Sequence, residues 1–158
     1  MDLGLVYERR AGGITGYVDA DWGNCPMDRK SYTGKQKTVA LSSTEAEFMA
    51  LSDVLKEAKY LQKLLNELPI EEDFPSISLH CDNLGAIKLA QNPVFHARTK
   101  HVDIRCHFIR EALENGTVSL QHISTEEMIA DVLTKGLTRQ KHENCVGRLI
   151  HPVSIEGK

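Results

Sequence analysis

The chain has 158 residues, enough for one domain with a real core and hardly for two. Hydrophobic residues make up 41% and charged residues 26%, an ordinary globular composition, and no apolar run approaches the ~18–20 residues that span a bilayer. The formal net charge of −3 argues against nucleic-acid binding through bulk positive charge, so phosphate contacts require a local patch or metal ions.

In chain order, residues 1–13 read as a lead-in punctuated by Gly12-Gly13, without the apolar core and small-residue cleavage site of a secretion signal. Ile14–Val18 is a short β-prone run that ends at Asp19-Ala20-Asp21, and Thr38–Leu41 offers a second short strand. Ser42-Ser43-Thr44 supplies N-cap residues for a long helix whose stripe runs through Ala50, Val54, Ala58, Leu61, Leu65 and Leu68 until Pro69 stops it. Ile77–Asp82 alternates as a strand, Leu84–Ala90 reads as a short helix, and Thr99–Glu114 reads as a longer one closed by Asn115-Gly116. Thr117–Ile123 alternates again, and Thr125–Leu137 completes the series as a helix. Strands alternating with helices predict an α/β layered domain over 14–140, followed by a C-terminal tail over 141–158. The scattered Cys25, Cys81, Cys106 and Cys145 form no CxxC pair, which favours reduced thiols over a zinc site.

Four acids stand out by position. Asp19 and Asp82 each close a strand, where sites gather in open α/β sheets, although aspartate is equally common there as a turn or cap residue. Glu47 falls about 20° from Val54 on the helical wheel, inside the apolar stripe. It also completes a possible capping box, Thr44-x-x-Glu47, and the sequence leaves both roles open. Asp131 lies at the edge of the stripe of its apolar segment, facing inward or out. Converging, the four would form an all-oxygen site for Mg²⁺ or Mn²⁺, and two such ions can assist phosphodiester hydrolysis.

Long motifs then align with a known family. Gly16-Tyr-Val-Asp-Ala-Asp-Trp22, Thr38-Val-Ala-Leu-Ser-Ser-Thr-Glu-Ala-Glu-Phe-Met-Ala-Leu51, Cys81-Asp-Asn83, Asn92-Pro-Val-Phe-His-Ala-Arg-Thr-Lys-His-Val-Asp-Ile-Arg105 and Ile129-Ala-Asp-Val-Leu-Thr-Lys135 resemble the ribonuclease H region of copia-type retrotransposon Pol polyproteins. Leu3–Tyr7 resembles the segment that joins reverse transcriptase to that region.

The resemblance implies a ribonuclease H-like fold, a mixed sheet with helices on both faces. It also implies cleavage of RNA in RNA–DNA hybrids during reverse transcription, with two Mg²⁺ or Mn²⁺ ions held by Asp19, Glu47, Asp82 and Asp131. The partners it implies are the hybrid and the reverse transcriptase of the same polyprotein, with no membrane, in the cytoplasm (a virus-like particle) or the nucleus. It places Arg98, Lys100, His101 and Arg105, with His107 and Arg110, on the helix after the third acid, where they would contact hybrid phosphates or form a solvated face balanced by Asp103 and Glu111.

The pattern breaks once. Relatives continue past Ser31-Tyr-Thr-Gly34 through two strands and their turn, whereas here Gly34 joins Lys35 directly, a loss of roughly fifteen residues. The expected outcome is a smaller sheet without two edge strands, and a chain that either cuts hybrids or survives as a catalytically inert remnant or binding module. A DNA-cutting integrase-type nuclease fits the order of the acids less well.

Overall fold

Two strand–helix–strand crossovers, stepping in the same direction, build the molecule. The computed structural model describes residues 3–4, 13–22, 27, 31, 36, 39–69, 76–92, 100–149 and 151–152, with backbone alone for 3–4, 100–103 and 151–152. Strand β1 is Leu3–Gly4, β2 is Ile14–Val18, β3 is Ile77–Cys81, β4 is Val118–His122 and β5 is His151–Pro152. The helices are α1 (Ser43–Glu67), α2 (Leu84–Gln91), α3 (Lys100–Glu114), α4 (Asp131–Thr134) and α5 (Arg139–Leu149). β1 and β5 form an antiparallel pair, and β2-β3-β4 form a three-stranded sheet that is parallel throughout.

Crossovers share one hand, so two that step the same way along a sheet lie on the same face. α1, in the first crossover, packs on β2 and β3, whereas α2 and α3, in the second, pack on β4 and on α1. The strand residues facing them, Val18, Ile77, Leu79, Cys81 and Val118, are buried with Phe48, Leu51, Leu55 and Ile109 of the helices. The opposite face is polar among the described residues: Tyr17 stacks on His80 with centroids 5.1 Å apart, and Ser78 and Ser119 share a 3.1 Å hydrogen bond. Among the described residues the helices that pack on this sheet lie on one face, where helices on both were expected. Gly16 lies beside Leu79 of β3, where a Cβ would meet Leu79 Cδ2 at 2.8 Å, so glycine leaves room for that core side chain under α1.

Several boundaries follow the sequence. Pro69 lies just past the end of α1, and Gly116, at φ 71°, turns the chain after α3. Others do not. Val39, Ala40 and Leu41 form no strand but lead into the cap of α1, and Thr38 lies outside the described residues, as does the Gly34–Lys35 junction. The helix expected over Thr125–Leu137 shrinks to the four residues of α4, preceded by turns closed by Glu127 N–H to Ser124 O and Asp131 N–H to Met128 O. α5 forms where a tail was expected to begin. It docks through buried Cys145, whose Sγ donates to Met128 O at 3.8 Å, and through Arg148, which donates to Glu127 O at 3.2 Å.

Candidate active site: four carboxylates and two lysines

Register sets the site. Val18 pairs with Cys81 in the parallel ladder, so the next residues, Asp19 and Asp82, leave the sheet side by side at its carboxyl end. Asp82 is spared capping duty, because the Asn83 side chain accepts from Ala86 N–H at 3.0 Å and starts α2. Thr125 Oγ1 donates to Asp82 Oδ2 at 2.8 Å instead. Asp131, the first residue of α4, arrives from the segment beyond β4 and is fully buried. One carboxylate oxygen each of Asp19, Asp82 and Asp131 lie within 4.8 Å of one another.

Glu47 enters from above the sheet. The two roles left open for it are now separated, since the start of α1 is capped by other residues. Ser42 Oγ accepts from Glu45 N–H at 3.1 Å, and Glu45 Oε2 accepts from Leu41 N–H at 2.7 Å. Glu47 is 5% exposed, lies within 4.8 Å of Asp82 and Cys81 ligand atoms, and accepts a hydrogen bond from the Ala20 backbone. Its Oε2 is buried without a hydrogen-bond partner among the described residues. Burial, then the charge of Asp19, raise its pKa to about 8 against the resistance of the Ala20 bond, with Asp82 adding to the rise. Cys81, beneath, is pushed up to about 12 by the same burial, so it stays a thiol and contributes no anion.

The sequence reading missed the cations. Lys135 Nζ donates to Asp19 Oδ1 and Asp131 Oδ1, at 2.8 Å each. Lys141 Nζ bonds Asp131 Oδ2 and, at 2.8 Å, Thr125 O. Thr134 Oγ1 donates to Asp19 Oδ2. Burial alone would raise the Asp131 pKa, but the bonds from Lys135 and Lys141 hold it below the ordinary carboxylate range. Burial alone would lower that of Lys135, but the bonds to Asp131 and Asp19 raise it. The i,i+4 spacing of Asp131 and Lys135 was the one signal available in the sequence. A cleft of about 530 Å³ opens beside Glu47 and Asp82, with Trp22, Leu84 and Thr125 on its walls. Trp22 is half exposed and anchored by Nε1 to Ala40 O at 3.1 Å.

Of the expected nucleic-acid contacts, Arg98 lies outside the described residues, and the helical positions of Lys100 and His101 are described without their side chains. Arg105 is turned to packing. Its Nη1 donates to Met49 O at 3.0 Å and pairs with Asp53 at 2.8 Å, tying α3 to α1. Arg110 likewise donates to Leu89 O and Asn92 O.

This cluster of acids at the carboxyl ends of parallel strands is the kind of centre that oxygen-seeking divalent cations use. The chain is 38% identical to a retrovirus-related Pol polyprotein from transposon RE1 of Arabidopsis thaliana over 84% of its length. It is 38% identical to that from RE2 of the same plant over 81%, and 40% identical to that from transposon TNT 1-94 of Nicotiana tabacum over 84%. It belongs to the Pol polyproteins of copia-type transposons, and it spans about a tenth of the length of these relatives. Since 84% of 158 residues is about 133, while those two alignments run over 148 and 147 positions, about fifteen positions of the relatives have no counterpart here. That is the size of the segment expected to be absent after Gly34. No family model and no solved structure matches the chain. Among the described residues no helix is long and apolar enough to cross a membrane.

Proposed function

We propose that this chain is the ribonuclease H domain of its polyprotein, cutting the RNA strand of RNA–DNA hybrids with Mg²⁺ or Mn²⁺. The observation that carries this reading is the buried, unpartnered Oε2 of Glu47 beside Asp82. A carboxylate is costly to bury alone, and coordination of a cation relieves that cost. Glu47 and Asp82 would hold the cation, and Asp19 and Asp131 complete the acid set. When bound, such an ion supplies a Lewis acid at the phosphodiester and favours ionisation of the attacking water.

The protein's own part is positional. Thr125 fixes the rotation of Asp82, and the Ala20 backbone fixes Glu47. Trp22 and Leu84 present apolar surface at the rim to a sugar or base. Lys100 and His101, at the start of α3, remain the candidates for phosphate contact, since Arg105 is committed to Asp53. The other domains of the same polyprotein are the natural covalent partners, the reverse transcriptase among them.

A second reading, an inert remnant, is favoured by the fifteen unmatched positions and by the absence of a partner strand on the free edge of β2 among the described residues. A cleavage assay separates the two. The full chain with Mg²⁺ is expected to cut only the RNA of a hybrid, and Asp82→Asn to reduce cutting below detection with the fold unchanged. A folded wild-type chain that leaves the hybrid intact across Mg²⁺ and Mn²⁺ titrations sinks the catalytic reading.

A further inference from the structure

The carboxylate cluster is asymmetric. On one side, Glu47 and Asp82 face the cleft and one oxygen has no partner. On the other, Asp19 and Asp131 are bridged by a single ammonium, Lys135 Nζ, at 2.8 Å from each, and the second oxygen of Asp131 is taken by Lys141. Asp19 and Asp131 are both fully buried, and the Lys135 side chain is only one-third exposed, so this bridge is built into the interior. Thr134, one residue before Lys135, bonds Asp19 as well, so α4 and its last turn are fastened to the end of β2.

Charge fixes the consequence. Once a bound cation has drawn the proton off Glu47, four carboxylates set against the two lysines leave the cluster at about −2, which that single divalent ion neutralises. A second divalent ion, with both lysines in place, would leave an excess of positive charge in a partly buried site, and cation crowding of that kind is costly. We propose that Lys135 is a positioning residue that stands in for a second metal ion, so that the chain binds one divalent cation, at Glu47 and Asp82, and holds Asp19 against Asp131 with its own ammonium. The inference rests on the metal-site reading above and deepens it. A cation shared by Asp19 and Asp131 must first displace Lys135, which breaks two buried, charge-assisted hydrogen bonds.

Titration calorimetry of the full chain with MnCl₂ at pH 8 tests this without any activity measurement. The wild type is expected to take up one ion per chain, Lys135→Met two, and Lys135→Arg, which keeps a cation, one. The metal-free Lys135→Met protein is expected to melt lower than the wild type, because Asp19 and Asp131 then repel, and to gain more in Tm from Mn²⁺. Two ions of similar affinity in the wild type overturn the role of Lys135 and leave the metal site standing, a result that needs no variant to fold. One ion in both the wild type and a folded Lys135→Met also overturns it. No uptake by any of the three proteins overturns the metal site itself, and the inference with it.

Discussion

Glu47 shows how one misplaced-looking side chain carries chemical information. In the unfolded chain its pKa returns to 4.5, whereas in the folded, metal-free protein burial and the Asp19 charge raise it to about 8. As pH rises through that window the unfolded chain loses its proton first, so stability present below about 4.5 is lost progressively up to about 8. Urea unfolding in EDTA is expected to give a lower midpoint at pH 8 than at pH 5 for the wild type. In Glu47→Gln, which mimics the protonated form, that difference should shrink markedly. Equal pH losses in the two proteins would assign the effect to another group. The acid itself was legible in the sequence as a charge inside an apolar stripe, yet its role was not. Thr44 looked as good a cap as Ser42, and only the bonds of Ser42 and Glu45 decide between them. Lys135 was invisible as a site residue because its partners are 4 and 116 positions away, and only the second makes it a bridge.

At the level of elements, α1 carries a larger share of the described core than any other element and is the best target for stability measurements. Phe48 is fully buried among sheet and helix residues, and Phe48→Ala is expected to cost ~3–5 kcal/mol. Ser42→Ala removes the cap alone and is expected to cost ~1 kcal/mol. Chemical denaturation reads both, and a cap effect as large as the core effect would mean that the start of α1 is held by more than Ser42. Long, strongly periodic elements such as α1, α3, β3 and β4 were readable because burial repeats within each of them. α4 and α5 were not. The apolar segment Met128–Leu133 mimics a helix, but Asp131, Thr134 and Lys135 are drawn into the carboxylate cluster, and turns precede the single helical turn that remains. α5 buries little beyond Cys145, so it leaves almost no apolar stripe to detect.

At the scale of the molecule, the described residues form a sheet of three parallel strands with its packed helices on one side and an edge at β2 that is unpaired among them. Such an edge is a template for pairing with another chain. Inserting the roughly fifteen-residue segment of a relative between Gly34 and Lys35 is expected to raise Tm and to lower any concentration-dependent self-association seen in sedimentation. No gain in either measure would mean that the shortened chain has already closed its edge. The α/β class was within reach of the sequence, because its strands and helices alternate, whereas the strand order and the parallel register of β2-β3-β4 came only with the structure. The one-sided layering follows from the direction of the steps, which no local pattern reveals.

The parallel register that aligns Asp19 with Asp82 also has a cost in time. Ile14 pairs with Ile77 and Ile77 with Val118, so no strand can pair with its sequence neighbour through a tight hairpin. A ribosome adding 5–20 residues each second leaves β2 waiting roughly 3–12 s for β3 to emerge. Throughout that interval its apolar residues, Val18 included, have only nascent α1 to shelter them. Birth, more than the finished state, is therefore when this chain is most exposed to aggregation and most in need of a chaperone.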